Sequence, residues 1–191
     1  MEIESLQELL IDEMRDIYSA ENQITKALPK MAKKATNPQL KKAFETHLRE
    51  TEGQIQRLQK IFDKLGKKPT GKKCAAMEGL VEEGKEMMAE DMDEETMDAA
   101  LIAVAQKVEH YEIASYGTVR TWAQAVGDEQ TAKLLQQTLD EEGKTAMSYG
   151  VYGVPETFFV DAQGRIAAKY TGPLSPDTLA ENLAKARGGK S

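Results

Sequence analysis

Glutamates recur inside otherwise apolar helical stripes over the first 142 residues, at matching separations. Glu21 and Glu50 lie 29 positions apart, as do Glu112 and Glu141. A carboxylate taken out of water is costly unless it is neutralised, paired or bound to a cation. Four inward acids on four helices are the arrangement by which a bundle holds two metal ions. Iron and manganese favour carboxylate and imidazole ligands, and bridging carboxylates hold two such ions close together.

The usual bundle pattern sets one Glu on each of two helices and Glu-x-x-His on the other two. This chain offers Glu21 on its first helix, and on its second His47-x-x-Glu50, one helical turn apart but in reversed order. The third carries Glu109-x-x-Glu112, with His110 beside it pointing off the stripe. On the fourth, two neighbours compete: the repeat favours Glu141, whereas the stripe through Leu135 and Leu139 favours Glu142. His47 reads either as a ligand or as a group that holds one. Tyr18 and Tyr111 read as core aromatics or as hydrogen-bond partners of ligands. Glu45, Glu52, Glu82 and Glu83 read as solvated helix faces, and Cys74 as an incidental loop residue.

Helical periodicity must position these acids. Leu6, Leu10, Ile17, Ile24, Leu28 and Met31 share a face with Glu21 and predict a helix from about 3 to 34, kinked at Pro29. Asn37-Pro38 breaks the chain and starts a second helix, which runs to about Leu65 with Phe44, Leu48, Thr51, Ile55 and Leu58 on one face. Gly66 ends it, and GKKPTGKKC reads as a solvated basic loop. A short helix over about 77–91 precedes a long third helix from about Asp93 to Val126, whose inner stripe is Leu101, Ala105, Val108, Glu112, Ser115 and Val119. Gly127-Asp128 turns into a fourth helix. Two hairpins joined by one long crossover make the chain mainly α, a ferritin-like four-helix bundle. IYSAENQI at 17–24 lies over VEHYEIAS at 108–115, a weak repeat that predicts pseudo-twofold symmetry about a central site.

Charge and composition exclude several classes. The 191 residues carry a net charge of −7, against a nucleic-acid binder's basic face. A single cysteine excludes an intramolecular disulfide and a CxxC centre. No run reaches the ~18 apolar residues of a membrane span. The acidic, amphipathic MEIESLQELLIDEMRD is unlike a signal peptide, so the expected location is cytoplasmic.

HLRETEGQIQRLQKIFDKLGKKP (47–69), KKCAAMEGLVEEG (72–84) and DAALIAVAQKVEHYEIASYGTVRTWA (98–123) resemble the ferritin-like YciE/YciF family of bacterial stress proteins. The resemblance covers about residues 3–142. It implies a homodimer and a dinuclear site of the kind often called a ferroxidase centre, with two iron ions, or manganese or zinc in their place. It also implies metal binding by Glu21, Glu50, Glu109, Glu112 and the Glu141/Glu142 region, with His47 a further candidate.

The pattern breaks at Gly143. The last 49 residues hold seven of the fourteen glycines and three of the six prolines, and they carry six basic and four acidic residues. Their sequence resembles the C-terminal half of TlpA/DsbE-like thioredoxin-fold proteins: Gly153-Val154-Pro155-Glu156-Thr157 matches the cis-proline loop. Strands are predicted at Thr157–Asp161 and Ile166–Tyr170, turned at Ala162–Gly164, and a last helix is capped by Ser175 and runs through Ala186. The catalytic WCxxC half is absent, so a thiol-disulfide function has no thiolate to use. The chain therefore reads as a chimera joined within EEGKTA, the alternative being an appendage packed on the bundle. The domains expected are a metal-binding bundle over 1–142 and a partial thioredoxin-like tail over 143–191. Gly143, Gly150, Gly153 and Pro155 are expected to stop the fourth helix and open one wall of the bundle. The leading function is iron binding with ferroxidase-type oxidation, and the competing one is a non-catalytic protein stabilised by its metal.

Overall fold

The computed structural model describes residues 3–148, 156–160, 166–171 and 175–187. The chain forms two compact units, Met1–Tyr149 and Gly150–Ser191. The first holds α1 (Leu6–Lys34), α2 (Pro38–Lys64), α3 (Ala75–Ala89), α4 (Glu94–Ala125) and α5 (Glu129–Ser148). α1 packs on α2 and α4 on α5; the two pairs meet α1 to α4 and α2 to α5, and α3 lies over α1 and α4. This is the expected bundle with a long crossover, and α3 sits within that crossover.

Local chemistry sets the ends. The Ser5 hydroxyl accepts from Glu8 N at 3.2 Å, satisfying an otherwise orphaned donor of α1, while the Glu8 carboxylate accepts from Glu4 N at 2.9 Å just ahead of the helix. Asn37 caps α2 through Gln39 N and Leu40 N, with Pro38 in the first turn. Asp93 caps α4 through Thr96 N, and Asp128 caps α5 through Thr131 N. α2 and α4 stop alike: Gly66 (φ 62°) and Gly127 (φ 78°) adopt the left-handed conformation that only glycine takes without strain. Lys67 N then bonds Phe62 O and Asp128 N bonds Ala123 O. α1 continues through Pro29.

Two apolar clusters fill the bundle. One gathers Ile24, Leu28, Met31, Phe44 and Leu101; the other gathers Leu10, Met14, Phe62, Tyr116 and Leu135. Full burial of each large side chain contributes about 1.5–3 kcal/mol. Along each long helix the residues between these clusters are polar yet buried: Glu21 on α1; His47, Thr51 and Gln54 on α2; Glu109, Glu112 and Ser115 on α4; Thr138, Glu142 and Thr145 on α5. Leu48, expected on the inner face, is only partly buried.

Three expectations are corrected. Gly143 does not stop the fourth helix, for α5 runs through it to Ser148. A glycine inside a helix costs about 1 kcal/mol relative to alanine, too little to end a helix whose flanking residues Glu142 and Thr145 are buried in the bundle. The compact units accordingly part at 149/150, not at 142/143. The basic loop is not simply solvated: Lys72 Nζ lies 2.6 Å from Asp12 Oδ2 and Cys74 N donates to Ser19 Oγ at 3.0 Å, so α1 anchors it. Cys74 itself is buried as the cap of α3.

In the second unit, β1 (Glu156–Val160) and β2 (Ile166–Thr171) pair antiparallel, and α6 (Pro176–Ala186) follows with Ser175 as its cap. Among the described residues this is one two-stranded sheet and one helix, less than a thioredoxin fold. Gly153, Val154, Pro155 and the turn at Ala162–Gly164 lie outside the described residues.

Candidate metal centre

Heptad spacing brings the polar layer together. His47, Gln54 and Ile61 descend one face of α2, while Glu109, Glu112, Tyr116 and Val119 descend the face of α4 opposite. His47, Glu109, Glu112 and Glu142 each direct one nitrogen or oxygen into a common space, with these atoms all within 4.8 Å of one another. His47 Nδ1 stands 3.2 Å from Glu109 Oε1, and Nε2 stands 3.9 Å from Glu112 Oε2. Glu21 is wholly buried beside them and accepts a hydrogen bond from the Tyr116 hydroxyl.

These acids are poorly satisfied by the protein. Among the described residues, no amide, amine or hydroxyl donates to Glu21 Oε2, to either oxygen of Glu112, or to Glu142 Oε2. Their titration follows. Burial, with Glu142 next, pushes the Glu21 carboxyl up to about 8. The same two causes push Glu109 up to about 11 and hold Glu112 well above the carboxylate range. Burial also raises Glu142 to about 7, with the hydrogen bond from the Gln54 amide working against it. Burial alone lowers His47 to about 4, so its imidazole is neutral at pH 7. Without a cation, burial and mutual repulsion therefore keep the layer largely protonated: Glu109 and Glu112 hold protons well past neutral pH, with Glu21 and Glu142 titrating closer to it.

The remaining candidates stand apart. Glu50 is half-buried and accepts from Thr145 Oγ1 at 3.0 Å. Glu141, which the repeat favoured, faces away: both its oxygens bond Arg57, at 2.9 and 3.1 Å. One residue is 100° of helix, and that rotation gives the inward place to Glu142. His110 is exposed, with Nδ1 against Gln106 O. The tyrosine that hydrogen-bonds to the acid layer is Tyr116, whereas Tyr18 accepts from Gln59 and Tyr111 donates to Asp16. Gln54 and Arg57 also escaped the sequence reading; Arg57 bonds Thr138 Oγ1 as well as Glu141. Tyr116 was findable as the residue one turn after Glu112, and Gln54 as the residue two turns after His47.

The donor set suits hard or borderline divalent cations: carboxylates dominate, with one imidazole and no thiolate. Carboxylates left without donors in a buried layer are what a cation would satisfy.

A family model described as a domain of unknown function, DUF892, matches residues 5–149. Protein YciF of Escherichia coli is 47% identical over 146 residues, which make up 76% of this chain and 88% of that protein. The crystal structure of the E. coli stress protein YciF aligns with a TM-score of 0.75 at 46% identity, covering 78% of this chain and 94% of that one. A structure from Rhodopseudomonas palustris, described as a putative structural protein, aligns at 0.76 and 44% identity over 80% of this chain and 98% of its own. A shorter likeness is to the thiol:disulfide interchange protein DsbE of Allochromatium vinosum, 41% identical over 71 residues. The chain spans 37% of that relative's length.

Proposed function

The chain belongs to the DUF892 family, and on that premise we propose that it is a stress-type protein holding two iron ions in the buried acid layer. The observation that carries this reading is the convergence of His47, Glu109, Glu112 and Glu142, with buried Glu21 beside them, in a layer most of whose carboxylate oxygens have no hydrogen-bond donor. Glu50 borders the layer and is the sixth candidate ligand. Manganese or zinc would suit the same donors. Bound iron would supply one-electron redox chemistry towards dioxygen or peroxide.

The chain's own residues prepare the site. The Tyr116 hydroxyl holds the Glu21 carboxylate, and the Gln54 amide holds that of Glu142. His47 is neutral and needs to lose no proton to ligate. The protons of Glu21, Glu109 and Glu112 leave as cations enter, so binding releases acid and strengthens as pH rises. The two apolar clusters exclude bulk water on either side.

Anaerobic Fe(II) loading followed by gel filtration and metal analysis tests the reading. About two ions per chain, lost in a Glu21→Ala/Glu112→Ala double variant that still folds, support it. A folded wild-type protein that retains no metal overturns it. Oxygen uptake on Fe(II) addition distinguishes an oxidising centre from one that only stabilises the bundle. The second role is favoured by the description of the R. palustris relative as a putative structural protein.

The proposed state is a cytoplasmic homodimer, following the family resemblance; light scattering on the purified chain tests the stoichiometry. No helix among the described residues is long and apolar enough to cross a membrane. The tail reads as a thioredoxin-type remnant joined to the bundle, supported by the partial likeness to DsbE. Without a CxxC it has no redox role in this reading, and truncation after Tyr149 should leave metal capacity unchanged.

A further inference from the structure

A cavity of about 250 Å³ runs between α1, α3 and α4, outside the acid layer. Ile24, Leu28, Val81, Val104 and Val108 form apolar walls, and buried His47 closes the inner end. Gly84 lets α3 lie tightly against α4: a Cβ there would meet Val104 Cγ1 at 2.9 Å. The cavity exceeds the ~150 Å³ apolar cavity that suffices to take up benzene.

The outer end differs in chemistry. Lys26, Lys30 and Lys85 line it and are exposed. Lys85 is engaged by Glu82 at 2.6 Å. Lys26 and Lys30 lie one turn apart on α1 and form no ion pair among the described residues. Like charges at that spacing repel each other, and their aliphatic stems can line an apolar wall while the ammonium groups reach water. An apolar bore ending in two uncompensated cations matches one ligand chemistry, an apolar chain with an anionic head.

We propose that this cavity binds a medium-chain fatty acid, its tail between α1, α3 and α4 and its carboxylate at Lys26 and Lys30. The tail replaces void with dispersion contacts, and the head neutralises the lysine pair. The chain end lies against His47, which places an occupant beside the acid layer. This inference does not require that layer to hold metal, since none of the rim or wall residues other than His47 belongs to it.

Calorimetric titration of decanoate into the full chain, with chelator present, tests the proposal. Saturable binding of one decanoate per chain is expected. The Lys26→Glu/Lys30→Glu variant should bind about tenfold more weakly, equivalent to ~1.4 kcal/mol. Its melting curve should match wild type, because both side chains are exposed. Decanol, with the same tail and no charge, should bind more weakly than decanoate and ignore the lysine changes. Val81→Trp, which fills the bore, should abolish binding of both. The proposal is overturned by absent saturation, by decanoate affinity indifferent to the lysine pair, or by decanol binding as tightly as decanoate. Should Val81→Trp fail to fold, the lysine variant and the decanol comparison still decide.

Discussion

Replacing Glu21 with glutamine separates what the acid layer does for binding from what it does to stability. Glu21 is wholly buried, and its carboxyl is raised from 4.5 to about 8, chiefly by burial. Between those values the folded protein holds a proton that the unfolded chain has released. Stability therefore falls as pH rises through the window. At pH 7 the penalty is 2.5 pH units at about 1.4 kcal/mol each, or roughly 3 kcal/mol. Glutamine removes the titration, keeps an oxygen for the Tyr116 hydroxyl and offers Glu112 an N–H donor. In chelator, Glu21→Gln should thus be more stable than wild type by up to ~3 kcal/mol at pH 7, about 6–12 °C in Tm for a chain of this size. The gain should shrink towards zero near pH 4.5. Added Fe(II) or Mn(II) should reverse the order, raising the wild-type Tm and leaving the variant unmoved. Circular-dichroism melts at pH 5, 6, 7 and 8, with and without metal, provide the test. A variant no more stable than wild type at pH 7 in chelator, or a gain that persists unchanged to pH 5, would refute the assignment of Glu21 as a buried proton-bearing acid.

Three further outcomes follow from the same geometry. Glu141→Ala should cost about 1 kcal/mol or less, because it removes a partly exposed pair with Arg57, and should leave metal content unchanged. Glu142→Ala should lose metal; equal losses from both variants would contradict the inward placement of Glu142 alone. Gly143→Ala should stabilise the bundle by about 0.5–1 kcal/mol, since nothing lies within 4 Å of the added methyl and the position is helical. Destabilisation would mean that α5 does not continue there. His47 stays neutral down to about 4 while the unfolded imidazole protonates below about 6.5, so this group lowers stability as pH falls through that window. In chelator, His47→Gln should gain on wild type by about 1.4 kcal/mol per pH unit of acidification from 6.5 to 4, read from urea midpoints; a constant difference would count against a neutral His47.

The helices were legible because their ends are written in residues with one job each. Asn37-Pro38, Gly66, Asp93 and Gly127 mark boundaries through caps and left-handed turns that few other residues supply. Glu21 and Glu112 were legible because apolar residues flank them at helical spacing. The choice between Glu141 and Glu142 was not, because the inward face of α5 runs Thr131, Leu135, Thr138, Glu142, Thr145. Threonines in that stripe erase the hydrophobic contrast on which a periodicity reading depends. The same camouflage hid Gln54 on α2, where His47 and Thr51 precede it. Gly143 misled for another reason: a local propensity of about 1 kcal/mol cannot end a helix whose flanking residues are packed.

The polar layer has a structural logic that follows from its position. Apolar residues at Glu21, Glu109, Glu112 and Glu142 would join the two clusters into one core and, by the Glu21 arithmetic, make a more stable bundle. The chain instead keeps four acids there, and in the absence of a cation it can bury them only by retaining protons on Glu112, Glu109 and Glu21. Tyr116 and Gln54 orient the two partners that carry charge most readily, Glu21 and Glu142. Carboxylates oriented in this way suit the proposed role, a layer that exchanges protons for cations. The coupling runs both ways: cation binding should draw its free energy partly from relieving the cost of burying unpaired acids, and protonation of those acids should both release the cations and lower that cost in the empty fold.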